Sequence, residues 1–119
     1  MNIIFGDNVA ELARKKYTVL ELDTFLIESR NQTATAYAIV EQVPLHELAA
    51  LDQFKTLHEN LMMEYRNRNW KYCEDAIEHL EGKWGRVIDT FYTEIYDRIQ
   101  SLKTQSLPDD WSGYIPKSG

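Results

Sequence analysis

The chain has 119 residues, 44% of them hydrophobic and 27% charged, a balance that fits one folded domain and excludes a globally disordered polymer. Its net charge of −6, with no basic face in the sequence, excludes nucleic acid and anionic membrane surfaces as expected partners. No apolar run approaches the roughly 18–20 residues that span a bilayer, and Met1-Asn2-Ile3-Ile4-Phe5-Gly6 lacks the basic and apolar regions of a signal peptide, so a cytoplasmic protein is expected.

The first segment, 2–6, reads as a short buried strand ending at Gly6. Asp7 or Asn8 is then placed to cap a short helix carrying Val9, Leu12 and Ala13, with Lys15 and Lys16 at the cation-favouring C-terminal end. Residues 17–29 and 33–43 flank the polar turn Arg30-Asn31-Gln32 and predict a β-hairpin. In its first strand Val19, Phe25 and Ile27 fall on one alternating face, while Leu20, Leu22 and Leu26 are less regular; Glu28 and Ser29 weaken its end.

Pro44 suits the first turn of a helix, and Leu45, Leu48, Leu51, Phe54, Leu57, Leu61 and Tyr65 follow at helical spacing. Asn67-Arg68-Asn69 breaks the pattern. Trp70, Cys73, Ile77, Leu80 and Trp84 predict a second helix with a narrow apolar seam, bracketed at its end by Gly82 and Gly85. Ile88, Phe91, Ile95, Ile99 and Leu102 predict a third. Prolines and a glycine keep 107–116 from being a regular helix, but Trp111 and Tyr114 make this tail one that folds back and packs. The expected architecture is therefore α+β: an N-terminal strand and helix, a β-hairpin, a three-helix region and a packed irregular tail. Residues 1–119 are read as a single domain, divided into a β-rich part (1–43), a helical part (44–105) and the tail (106–119).

This order of elements resembles the closing segment and helical tail of bacterial class III nucleotide cyclases. The resemblance runs from Ile3-Ile4-Phe5-Gly6 through Leu22-Asp23 to Tyr37-Ala38-Ile39-Val40-Glu41. It continues at Tyr65-Arg66 with Trp70 and Cys73, and at Pro108-Asp109-Asp110-Trp111-Ser112-Gly113. It implies mainly an absence of catalysis. The metal-binding aspartates and the transition-state Asn and Arg of such cyclases fall upstream of the matched segment. Glu28 stands where they place a phosphate-binding lysine, with Ser29 at the neighbouring glycine. A carboxylate at that position repels a triphosphate.

The residue types that carry chemistry do not converge in the sequence. His46, His58 and His79 lack metal-ligand spacing and are expected on solvated helix surfaces. Cys73, the single cysteine, can form neither an internal disulfide nor a thiolate zinc site, and on an apolar seam it reads as an inert buried thiol. Glu74 and Asp75 read as a solvated face, and Asp109 and Asp110 as residues of a turn before Trp111. Trp70, Trp84 and Phe91 are expected in the core. No catalytic residue, cofactor or metal is expected. The function expected is a non-catalytic protein–protein interaction or regulatory module, with Asp110, Trp111 and Tyr114 as candidate contact residues. The alternative is a small-molecule sensor, with a nucleotide among the candidate ligands. The partner is another protein, and a homo-oligomer is left open.

Overall fold

The computed structural model describes residues 2–40 and 48–117. The expected helix start at Pro44 and the Leu45 position lie outside the described residues. The architecture is α+β, in the order β1 (Asn2–Phe5), α1 (Asp7–Arg14), β2 (Thr18–Ile27), β3 (Gln32–Val40), α2 (Leu48–Arg66), α3 (Trp70–Leu80), α4 (Arg86–Leu102) and β4 (Ile115–Lys117). By contacts the chain divides into two compact units, one made of residues 1–45 and 113–119 and the other of residues 46–112.

The first unit is a four-stranded sheet ordered β1-β3-β2-β4. β3 lies antiparallel to β1 and β2, and β4 joins β2 in parallel. The hairpin turn is a 3-10 turn over Glu28–Arg30, closed by Asn31 at φ 50°, a left-handed conformation that Asn tolerates well. Between the pairs Glu21–Tyr37 and Thr24–Thr35 the register shifts, so Leu22 and Asp23 together oppose Ala36, a β-bulge. The bulge corrects the expected alternation. Phe25 and Ile27 share a face with Leu20 and Leu22 instead of with Val19, and the irregular leucines of β2 record this change of phase.

Helix α1 packs on the other face, where Ala10, Val19 and Tyr37 form a buried cluster with Ile4 and Ala13 against it. Its N-cap is Gly6, at φ 98°, a backbone region open mainly to glycine. Asp7, expected as a cap residue, is engaged elsewhere, and its carboxylate accepts a hydrogen bond from the Tyr37 hydroxyl. Seven residues on, the Arg14 guanidinium lies 5.5 Å from the Tyr37 ring centre. One tyrosine thus ties both ends of α1 to the sheet.

The tail, expected to be irregular throughout, is so up to Tyr114; Ile115–Lys117 then adds the edge strand β4. Pro116 is tolerated there because an edge strand needs ladder bonds on one side only.

The second unit packs α2, α3 and α4 through Leu61, Met62, Tyr65, Cys73, Ala76, Ile77, Leu80, Ile88, Tyr92, Ile95 and Ile99, all buried. Trp84 and Phe91 are buried as expected, whereas Trp70 is half-buried. Helix α3 stops at Leu80, short of the expected Trp84, because Glu81 takes an extended ψ of 133° and Gly82 a φ of 80°. His58 corrects the expectation of a solvated histidine: it is fully buried, with Nδ1 2.8 Å from the Tyr92 hydroxyl.

Candidate functional site

The break Asn67-Arg68-Asn69 is where the sequence turns into a site. Helix α2 ends with the Asn69 amide donating to the Glu64 carbonyl at 3.0 Å and the Arg68 amide to the Tyr65 carbonyl at 3.2 Å. This pair of bonds is a Schellman motif, and Arg68, at φ 64°, holds the left-handed place that usually falls to glycine. Both asparagines fasten the turn from outside: Asn67 and Asn69 donate to the two carboxylate oxygens of Glu64, at 3.1 and 2.6 Å.

From that turn the Arg68 guanidinium reaches the tail. It donates to the Leu107 carbonyl at 3.5 Å and to the Pro108 carbonyl. Its carbon lies 5.6 Å from the centre of the Trp111 ring. The Trp111 amide closes a turn on the Pro108 carbonyl at 3.0 Å, which projects the indole back toward the helices. There it meets Tyr65 and Trp70 with ring centres 5.6 and 5.8 Å away, the latter at 76°. Tyr65 and Trp70 stand 5.9 Å apart at 66°. Edge-to-face packing at these separations is favourable beyond the area it buries. Tyr65 is 4% exposed, while Trp70, Arg68 and Trp111 are half-buried and Pro108, Asp109 and Asp110 exposed.

Of the expected contact residues, Trp111 and Asp110 therefore sit at one place. Tyr114, 40% exposed, belongs to the other unit. Sequence reasoning misses Arg68. Its signal is a basic residue between two asparagines at a helix break, which reads only as punctuation.

Cys73 is buried, with Sγ 3.8 Å from the Leu61 carbonyl. Burial first, then the negative charges of Glu64 and Glu74, pushes its thiol up to about 12, which removes the thiolate that nucleophilic or redox chemistry requires. Glu74 and Asp75 prove unlike each other. Glu74 accepts from Gln100 at 2.8 Å and Lys103 at 3.3 Å, and the Gln100 bond leads in holding its carboxyl below the usual range. Asp75 pairs with Lys71 at 3.0 Å and holds that ammonium above its ordinary value.

Lys71, Glu74 and Asp75 line an open groove of about 380 Å³ together with Glu78, Glu81 and Tyr96. Its four carboxylates repel a polyphosphate. A smaller cleft of about 260 Å³ is lined by Leu57, Tyr72, Ala76 and the exposed His79. Glu28 and Ser29 are exposed in the hairpin turn. Among the described residues no group of three or more His, Cys, Asp or Glu is placed to hold a metal ion, and no helix is long and apolar enough to cross a membrane. Comparison with protein-family models, with curated proteins and with solved structures finds no match.

Proposed function

We propose that this protein is a non-catalytic interaction or regulatory module that binds another protein through a face built on Trp111, Trp70 and Arg68 and rimmed by Asp110. One observation carries the reading: an arginine occupies the glycine position of the α2 terminus. A side chain in that left-handed conformation costs about 1–2 kcal/mol, and strain of this kind concentrates at functional segments. Here the side chain fixes the tail, and with it Trp111, against the helix junction.

The resulting surface offers tryptophan and arginine, the residue types that dominate interface energetics. Their rotamers are already set, which lowers the entropy cost of docking. Tyr114 remains a second contact candidate on the other unit. If the cyclase resemblance reflects descent, the chain is a closing segment recruited for binding, with Glu28 in place of a phosphate-binding lysine.

The test is affinity capture from lysate of the cell of origin, read by mass spectrometry, with wild type beside Trp111→Ala and Asp110→Lys. Circular dichroism checks that both variants keep their helices; Asp110 is exposed, so its replacement leaves packing intact. One protein retained by wild type and lost from both variants supports the reading. The same protein retained equally by all three removes the tail from the interface.

A further inference from the structure

The β1 edge presents unpaired backbone and apolar side chains at the same two residues. The Gly6 amide donates to the Thr35 carbonyl at 3.1 Å, which makes Gly6–Thr35 a hydrogen-bonded pair of the ladder. Such pairs alternate along an antiparallel ladder, so Ile4–Tyr37 is another. The N–H and C=O groups of Ile3 and Phe5 therefore point outward from the sheet, and among the described residues no strand lies beyond them. Their side chains share one face and are 45% and 54% exposed, with the Phe5 ring 6.2 Å from Phe25. Natural edges are commonly blunted by lysine, proline or a bulge. The opposite edge, β4, carries Pro116; β1 reads Asn-Ile-Ile-Phe and carries no such device.

We propose that β1 pairs antiparallel with β1 of a second copy, across a two-fold axis at Ile4, so that one sheet runs through both chains. The choice of occupant follows from register. Reversed on itself at Ile4, the strand sets Ile3 of one copy opposite Phe5 of the other, twice. That satisfies every outward group of both residues and stacks apolar side chains in cross-strand pairs. Neither residue is charged, while each chain carries a net −6. The pairing therefore works against long-range repulsion and tightens as salt screens it. A four-residue edge covers less than the roughly 1,200 Å² of a standard interface, so the dimer is weak and depends on concentration. The β1 edge belongs to the sheet unit and Trp111 to the helical unit, and the two readings stand or fall independently.

Sedimentation equilibrium across a concentration series tests it. Wild type is expected to approach twice the monomer mass as concentration rises, more readily at high salt. Ile3→Lys and Phe5→Lys are each expected to raise the dissociation constant about tenfold or more, with circular dichroism unchanged. Ile3→Pro serves as a second probe of the edge, because it deletes an amide that the monomer does not use. Amide exchange of Ile3 and Phe5 is expected to slow on dimerisation. A monomer at every attainable concentration overturns the proposal. So does a dimer that none of the three variants weakens, or one that leaves the Ile3 and Phe5 amides unprotected.

Discussion

Arg68 stands 5.6 Å from the Trp111 ring centre while its own backbone is left-handed at φ 64°; the contact that orders the tail is made by a residue in a strained conformation. Two effects of opposite sign meet in one residue, and a substitution separates them. Arg68→Gly relieves the backbone by about 1 kcal/mol and deletes both donors to the tail carbonyls. The expected outcome is a helical unit as stable as wild type or slightly more so, with a tail that proteases cut faster between residues 103 and 112. Arg68→Lys is not expected to restore protection, since an ammonium cannot stack on the indole and fork to two carbonyls. Limited proteolysis beside thermal unfolding reads both effects.

His58 and Tyr92 are both fully buried and join α2 to α4 through a 2.8 Å hydrogen bond. Tyr92→Phe keeps the ring and its volume but takes that partner from the imidazole. A loss of about 1–2 kcal/mol is expected, measured by denaturant unfolding with an unchanged slope. A variant as stable as wild type would show that the bond contributes nothing net.

Cys73 is expected to be unreactive in the folded protein. With its thiol pushed up to about 12 and its sulfur buried, alkylation at mildly alkaline pH proceeds only through opening of the helical unit. Labelling is expected to be slow in native buffer and complete in guanidinium, with a native rate that follows unfolding stability across variants such as Tyr92→Phe. Rapid native labelling would show that α3 does not seal the thiol.

Alkaline pH should loosen both units. Tyr37, in the sheet, rises from 10.0 to about 12, through burial first and then the hydrogen bond and charge of Asp7. Tyr92, among the helices, rises for want of solvation, with Asp89 adding to it. A phenol whose folded pKa lies above its unfolded one favours folding below pH 10, and for Tyr37 that contribution is lost as pH climbs from 10 toward 12. Unfolding midpoints should therefore be flat up to about pH 10 and then fall. Tyr37→Phe should flatten part of the decline, and Asp7→Asn should bring phenolate formation at Tyr37 to lower pH. Ultraviolet titration and circular dichroism on the same samples check this.

The legible part of this fold is set by side-chain period. Helical spacing of Leu61 and Tyr65, or of Ile88, Phe91, Ile95 and Ile99, reports burial directly, and the polar turn between two β-branched runs reports the hairpin. What escapes depends on geometry that no window of sequence contains. The bulge at Leu22 and Asp23 changes the phase of β2 without any glycine or proline to announce it. His58 is polar by type, yet it is buried with a hydrogen-bond partner, Tyr92, that lies 34 positions later. The site divides in the same way. Trp111 stands out as an aromatic on an irregular segment, but Arg68 gains meaning only once its guanidinium meets carbonyls 39 and 40 residues away.

The parallel pairing of β4 with β2 also has a consequence for the order in which the molecule is made. Residues 46–112 form a continuous stretch, so every partner in the helical unit is synthesised before β4 is translated. The sheet, by contrast, has its first three strands early and must hold the β2 edge open until Ile115 emerges. During that interval β2 offers a free row of amides and carbonyls beside Phe25, Leu26 and Ile27. The nascent sheet thus passes through a stage in which it is one strand short.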